Sequence, residues 1–378
     1  MKTLVVGAGP VGLAAALALR RSGVSDDITV LEAGVQNAIS FSDRNIALSA
    51  ASWRFLSRLG VSVEAQQRAP IRQVEITQRG AFGLLTLDAK DIDASELGAA
   101  TPYPVLKSAL DHAVHDARIN VLYSAKAESV QHEAARAVVA LASGEKLSAD
   151  CVILADGAAS DLVPEFKRFE RDSGQMAIIT RVSASKPRAG IAFERFTEGG
   201  ALALIPRADG QWTVVWARPR PDAERMLLLD AAAIGDELNA AFGSSLGGLT
   251  VTATLTSYPL VWRFVEPRAG GAIVALGNAA QGLHPVAAQG LNLGLRDAQD
   301  LADGFARKKS DDSVAATLSK FARTRGIDRV ARIGFTGLLT YGFDRGGWLA
   351  DVPRGLGLTA LQMLPPLRRE ITRRLALN

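Results

Sequence analysis

The chain opens on a short apolar run, Thr3 to Val6, followed by a glycine-bearing turn and an alanine- and leucine-rich stretch, Leu13 to Arg20. A second apolar run follows at Ile28 to Leu31. Short, continuously apolar runs on either side of a helical stretch read as buried parallel strands, so the start predicts a βαβ unit. Helical periodicity returns at Ser49 to Leu59, with Trp53, Leu56 and Leu59 on one face. It returns again at Pro104 to Ala117, with Leu106, Leu110 and Val114 in register. Val74 to Thr77 alternates as a strand, with Phe82 to Leu87 as its hairpin partner. Ile119 to Tyr123, Ala137 to Leu141 and Cys151 to Leu154 also read as strands, and a Ser143-Gly144 turn is expected between the second and third.

From about Gln175 the pattern becomes β-rich. Ala201 to Ile205 and Trp212 to Trp216 flank a turn containing Asp209-Gly210, a hairpin signal. Alternation puts Trp212 and Trp216 on one face, where core packing is the plainer reading. Ile273 to Leu276 is another short buried strand. From Gly290 onward the pattern is mostly helical, with breaks expected at Gly346-Gly347, Pro353 and Pro365-Pro366. No internal repeat or low-complexity linker is visible, so two domains are expected to interleave rather than follow one another.

Composition narrows the class. With 378 residues, 48% hydrophobic and 22% charged, the chain is globular and long enough for two domains. A net charge of +4 weakly favours an anionic partner, such as a phosphate-bearing cofactor or an acidic lipid surface. No basic run is interleaved with aromatics, so no nucleic-acid partner is expected. Cys151 is the one cysteine, which excludes an internal disulfide or a cysteine-based metal site and fits a reducing cytoplasm. His112 and His115 fall on one predicted helix with no third ligand in view, so no metal is expected. Leu4 to Leu19 follows Lys2 much as a secretory leader would, but its glycines, its proline and the continuing βαβ pattern argue against that reading. No stretch reaches 18 uninterrupted apolar residues, the length of a spanning helix.

The first turn, Gly7-Ala8-Gly9-Pro10-Val11-Gly12, carries the first candidate chemistry. Gly7 allows a tight turn, Gly9 lets backbone approach a phosphate, and Gly12 lets the helix pack closely on the strand. The helix start then offers unpaired N–H groups to a pyrophosphate. Glu32, at the end of the second strand, can accept hydrogen bonds from ribose hydroxyls. This fingerprint does not separate NAD from FAD, and a glycine-rich turn without a ligand is its alternative.

Two further glycine-bearing segments follow strands: Asp156-Gly157-Ala158-Ala159-Ser160, and the long segment from Gly277-Asn278 through His284-Pro285 to Gln289-Gly290-Leu291-Asn292. With the first fingerprint and Asp43-Arg44 they resemble, in this order, the class A flavoprotein monooxygenases of the para-hydroxybenzoate hydroxylase fold. The resemblance runs from Met1 to about Phe321. Asp43 to Leu48, Phe193 to Thr197 and Gly277 to Gln281 are similar to the ubiquinone-biosynthesis hydroxylases, most to the 2-polyprenyl-6-methoxyphenol 4-hydroxylase branch.

The resemblance implies a mixed α/β fold: a Rossmann-like FAD-binding domain (1–70, 98–165 and 267–325) interleaved with a β-sheet substrate domain (71–97 and 166–266), then a helical C-terminal segment (326–378). It implies that Gly7, Gly9, Pro10, Gly12 and Glu32 hold the ADP half of FAD. Arg44 would contact the ribityl–pyrophosphate region, and Asp156 and Gly157 would lie near the pyrophosphate and NADPH or NADH. Gly277 and Asn278 would meet the ribityl chain. Pro285, Gln289, Gly290, Leu291 and Asn292 would line the isoalloxazine, Pro285 and Gly290 at the reacting edge. The helix beginning near Gly290 would aim its positive end at the flavin edge.

The implied reaction is hydroxylation of a polyprenylated phenol by NAD(P)H and O₂ through a flavin C4a-hydroperoxide. A flavin reductase, a hydroxylase of another aromatic, and a weakly active flavin-binding member of a ubiquinone-synthesis assembly are the alternatives. His284 could relay a proton or simply bond backbone. Arg195, between Phe193 and Phe196, could flank a prenyl chain or be an ordinary sheet arginine. The basic amphipathic tail Leu367 to Leu375 suits either an anionic membrane surface at the cytoplasmic face or a solvated helix. Three departures stand out: Asn278 replaces the wider family's Asp, Gln281 its frequent His, and no arginine follows Asp156-Gly157 closely.

Overall fold

A computed structural model describes residues 1–36, 44–80, 82–157, 161–282, 289–308, 312–326 and 348–377. Asp43, His284 and Pro285 lie outside the described residues, as do Ala158 to Ser160 and Gly346-Gly347. The chain begins β1 (Lys2–Val6), α1 (Pro10–Arg21), β2 (Asp27–Leu31), β3 (Asn45–Ser49), α2 (Ala50–Arg58), β4 (Ala69–Ile71), β5 (Gln73–Gln78), β6 (Leu84–Asp88), β7 (Gly98–Pro102), α3 (Tyr103–Asp116) and β8 (Asn120–Leu122). Next come β9 (Ala127–Glu133), β10 (Arg136–Leu141), β11 (Lys146–Ala149), β12 (Cys151–Leu154), β13 (Lys167–Ala184), β14 (Ile191–Thr197), β15 (Gly200–Pro206) and β16 (Trp212–Pro219). Two helices, α4 (Arg220–Met226) and α5 (Ala231–Phe242), precede β17 (Leu249–Val251), β18 (Thr256–Glu266), β19 (Ala269–Gly270), β20 (Ile273–Ala275) and β21 (Gln281–Gly282). The end is helical: α6 (Gln289–Ala306), α7 (314–326), α8 (Trp348–Met363) and α9 (Pro365–Leu377).

The nucleotide-type sheet is ordered β19-β20-β12-β1-β2-β8, with β20, β12, β1, β2 and β8 parallel. Its strands come from three separated stretches of chain, which is the interleaving expected. They read as continuous apolar runs because both faces are covered. Leu13, Leu17, Leu106 and Leu110 from α1 and α3 pack on one face with Leu301 of α6. Val130 and Val139 of the small β9-β10-β11 sheet cover the other. Cys151, on the face covered by α1 and α3, is fully enclosed, and burial pushes its thiol up to about 12, so no thiolate chemistry is available to it.

The second large sheet runs β21-β18-β13-β16-β15-β14-β5-β6, with β17 on β13. Strict alternation gives it two faces. Ile178, Leu204, Trp212 and Trp216 pack beneath α4 and α5 against Met226 and Phe242. On the opposite face Val74, Ala192 and Val215 meet Ala47, Ala69 and Ala100 of the three-stranded sheet β3-β7-β4. The hairpin at Asp209-Gly210 forms, with Gly210 at φ +79°.

Three local expectations are corrected. The Ser143-Gly144 turn closes β10 onto β11, not onto β12. The extra strand was hidden because Lys146 to Ala149 is short and half polar. Pro353 lies inside α8 instead of ending it, whereas Pro365 opens α9 at a position where a missing N–H costs nothing. β13 also starts before Gln175: its first half, with Glu170, Arg171 and Asp172, is a solvated ribbon paired with β18 and shows no apolar pattern.

Candidate functional site

Three loops leave the C-terminal ends of adjacent parallel strands: after β1, after β12 and after β20. In the first, Gly7 has φ +104° and a side chain there would lie 2.6 Å from the Ala155 carbonyl oxygen, on the neighbouring loop. Gly12 is tighter, since an added Cβ would stand 2.0 Å from the Gly7 carbonyl oxygen. Its close approach is thus to the turn itself. Gly9 faces open space, with nothing within 4 Å of such an atom. It is the N-cap of α1 and contributes no side-chain cap. Pro10 starts the helix, and no acidic residue occupies the first turn. An anion can therefore approach the free N–H groups there without displacing a protein group.

Glu32 closes this cradle. Its Oε2 accepts from the Ala8 N–H and its Oε1 from the Gly34 N–H, both at 2.8 Å. Each oxygen keeps a lone pair for an outside donor. Arg44 stacks over the Tyr103 ring at 4.7 Å, and its carbonyl accepts from the Tyr103 N–H. Burial raises the Tyr103 hydroxyl above its ordinary range; Arg44 opposes that, and Glu32 and Asp111 add to it. Arg44, Tyr103 and Glu32 thus share one electrostatic neighbourhood.

The second loop places the Asp156 backbone against Gly7, and Gly157 takes φ +98°. In the third, Gly277 has φ +56° and sits on Val11 of α1. Gly294, one α6 turn beyond Gly290, lets Val11 reach Gly277: a Cβ at Gly294 would lie 2.5 Å from Val11 Cγ2. The start of α6 comes to Asn278, whose Oδ1 would be 3.9 Å from a Cβ at Gly290. Leu291 packs on the main core. Asn292 is a fastener: Oδ1 accepts from the Ser49 N–H and the Ser52 hydroxyl, and Nδ2 donates to the Ala47 carbonyl. Gly7, Gly9, Pro10, Gly12, Glu32, Asp156, Gly157, Gly277, Asn278 and Gly290 are therefore brought together, with Arg44 beside Glu32. The side chain of Asn292 instead ties α6 to β3 and α2.

Sequence reasoning missed what holds the third loop. Asp297 of α6 is fully buried, with Arg268 and Arg325 each at 2.7 Å. It also accepts from the Gly277 N–H at 3.2 Å. Burial pushes the Asp297 carboxyl upward, but the two guanidinium charges and their hydrogen bonds outweigh it, and the net position is below the usual carboxylate range. One charged network thus fixes the Gly277 turn. Its signal was a lone acid on the apolar side of a predicted helix.

Arg195 and its neighbours resolve into structure. Phe193 packs edge-on against Phe242 with ring centroids 5.4 Å apart, and Arg195 Nε donates to the Ala241 carbonyl. Both belong to the α5 side of the sheet. Glu194 is on the other side, and burial pushes its carboxyl up to about 7.

A fold of interleaved nucleotide and β-sheet halves, with this cradle of strand-end loops, defines an FAD-dependent hydroxylase or monooxygenase. The chain belongs to the FAD binding domain family, which matches residues 1–327. It is 27% identical over 378 residues to the 3-demethoxyubiquinol 3-hydroxylase of Escherichia coli, covering 97% of this chain and 96% of that protein. It is 26% identical over 376 residues to the ubiquinone hydroxylase UbiL of Rhodospirillum rubrum, covering 97% and 87%. Among solved structures it is similar to Klebsiella pneumoniae HpxO complexed with FAD and uric acid, at a TM-score of 0.69 and 21% identity, covering 100% of this chain and 96% of that one.

Proposed function

We propose that the protein uses FAD and NAD(P)H with O₂ to hydroxylate a polyprenylated, methoxylated phenol on a route to ubiquinone. The observation that carries this is the convergence of the Gly7–Gly12, Asp156-Gly157 and Gly277–Gly290 loops in a family whose named relatives include ubiquinone hydroxylases. The nucleotide half would comprise 1–70, 98–165 and 267–325, and the substrate half 71–97 and 166–266.

The residues present fit FAD. The open approach at Gly9 and the uncapped α1 start suit a pyrophosphate, and Glu32 suits ribose hydroxyls. Arg44, Asp156, Gly157, Gly277, Asn278, Gln289 and Gly290 would hold the middle and the ring, with the backbone of Leu291 and Asn292 beside it. Pro285 and His284 belong to the same proposal. When bound, FAD supplies the redox chemistry by which NAD(P)H electrons activate O₂. The chain supplies the rest. The N-terminus of α6 stabilises negative charge, and Asn278 offers hydrogen bonds without a second negative charge. The sheet face and β3-β7-β4 exclude water from the space between the halves. Turnover tests this reading: FAD-loaded protein should oxidise NAD(P)H faster when a prenylated methoxyphenol is added. No acceleration with any phenol would contradict it.

A lipid-borne substrate requires access to a membrane, and the C-terminal helices favour this. Among the described residues no helix is long and apolar enough to cross one. On α8 Val352, Leu356 and Met363 form one stripe, with Leu356 57% and Met363 74% exposed, and Leu364 and Leu367 continue it. Arg368 turns inward to pair with Asp91, while Arg369, Arg373 and Arg374 stay outside. Glu370 pairs with two of these, which lowers the basic charge. A peripheral contact through the apolar stripe follows. Cosedimentation with anionic vesicles checks it: wild type should bind, and Leu356→Glu with Met363→Glu should stay in the supernatant. Equal partitioning of both would sink the idea.

A further inference from the structure

The face of the large sheet that looks away from α4 and α5 carries one register line of partly open residues. Glu194 of β14 lies between Ile76 of β5 and Ala203 of β15, Ala203 pairs with Val215 of β16, and Val215 with Ile179 of β13. All five are intermediate in exposure, whereas Ile178, Leu202, Leu204, Val214 and Trp216 on the other face of β13, β15 and β16 are buried. The line is an apolar shelf with a single carboxylate set into it.

The shelf faces the cofactor half. Val215 and Ala192, on this face, pack with Ala47 of β3. The Ala47 carbonyl is in turn held by Asn292 of α6. A ring lying on the shelf is therefore enclosed by the sheet on one side and by the elements around the start of α6 on the other.

Glu194 Oε1 is shielded from solvent and has no hydrogen-bond partner among the described residues. The charged groups of the adjacent strands do not serve it. Glu75, opposite Phe193, alternates to the other face and pairs with Arg188, and Arg195 bonds Thr77 and Ala241 there. Arg181 and Arg207 share the Glu194 face, Arg207 donating to Thr213 towards its far end. Arg354 belongs to α8, which borders β5. Burial raises the Glu194 carboxyl to about 7. A shielded acceptor without a donor costs about 1–3 kcal/mol, and such groups are rare unless a ligand completes them. The apolar flanks select a neutral donor on an aromatic body over a cation, which would lose its hydration against Ile76 and Val215.

We infer that Glu194 is the substrate's acceptor: its Oε1 takes the hydrogen bond of the phenolic hydroxyl, and the ring lies on the Ile76–Ala203–Val215 shelf. This rests on the hydroxylase reading above. As the O–H bond polarises toward the carboxylate, electron density moves from the phenolic oxygen into the ring, the direction an electrophilic oxygen donor requires. The proton stays between the two oxygens, and no other reactant is needed.

The inference is tested on FAD-loaded protein. Product formation by wild type should rise with pH through about 7 as Glu194 ionises. In Glu194→Gln that step should vanish and the rate fall roughly 100-fold, the lower end of acid–base contributions, while NAD(P)H oxidation continues and releases peroxide. A second measurement needs no variant. Well above that midpoint, wild type should bind the phenol at least about tenfold more tightly than its methyl ether, which has no hydrogen to donate. Equal binding of phenol and ether, or a Gln variant with wild-type rate and pH profile, overturns the inference while leaving the hydroxylase reading intact. Wild type that neither binds nor hydroxylates phenols overturns both.

Discussion

Gly12→Ala is expected to strip the protein of its flavin. The added methyl would stand 2.0 Å from the Gly7 carbonyl oxygen, a backbone atom with no rotamer to escape into. The turn must open or α1 must lift off β1. Overpacking of this kind costs about 1–3 kcal/mol, and opening the turn also misdirects the N–H groups of the α1 start. FAD affinity should fall by about 10- to 100-fold on that cost alone. Gly9→Ala separates cradle from packing. Its Cβ meets nothing within 4 Å, so the apoprotein should melt as wild type does while FAD binds more weakly. Titration of both apoproteins with FAD, alongside their melting curves, decides this. Gly9→Ala binding FAD as tightly as wild type would remove the phosphate from that turn.

Asp297→Asn should have the largest effect on stability. The substitution keeps the shape and removes the charge, leaving Arg268 and Arg325, 4% and 2% exposed, facing a neutral amide. Breaking a buried ion network in this way costs about 3–5 kcal/mol. The Gly277 N–H also faces a weaker acceptor, so flavin affinity should fall with stability. The pH dependence has a definite sign. Asp297 is held lower in the folded chain than in the unfolded one. Its stabilising contribution is therefore complete above the unfolded carboxylate value of about 4 and is lost as acid takes the pH through the lower, folded value. The stability gap between wild type and Asp297→Asn, measured by denaturant unfolding, should be constant at neutral pH and close in acid. A gap that instead widened in acid would contradict the assignment.

The cradle was legible in the sequence because its demands are local. Gly7, Gly9, Gly12 and Glu32 have fixed places relative to β1, α1 and β2, and the start of α6 announced itself at Gln289-Gly290. The supports were not legible, because they are long-range. Gly294 fits Val11 from across the molecule, and Arg268 and Arg325 meet Asp297 only after β20, α6 and α7 have docked. Asn292 stood out in the sequence through its flavin-like motif, but nothing local showed that its side-chain amide fastens α6 to β3 and α2. Phe193 to Thr197 showed a second kind of limit. The aromatic and basic residues drew attention, but alternation turns Phe193 and Arg195 to α5, and the residue left facing the open shelf is Glu194.

The most direct test of the account supplies FAD-loaded protein with NAD(P)H, ¹⁸O₂ and a short-chain prenylated methoxyphenol, and follows the product by mass spectrometry. One labelled oxygen should enter the ring for each NAD(P)H consumed in coupled turnover. Protein that holds FAD and reduces it, yet returns every phenol unlabelled, would contradict the account and leave a flavin-binding scaffold or a reductase in its place.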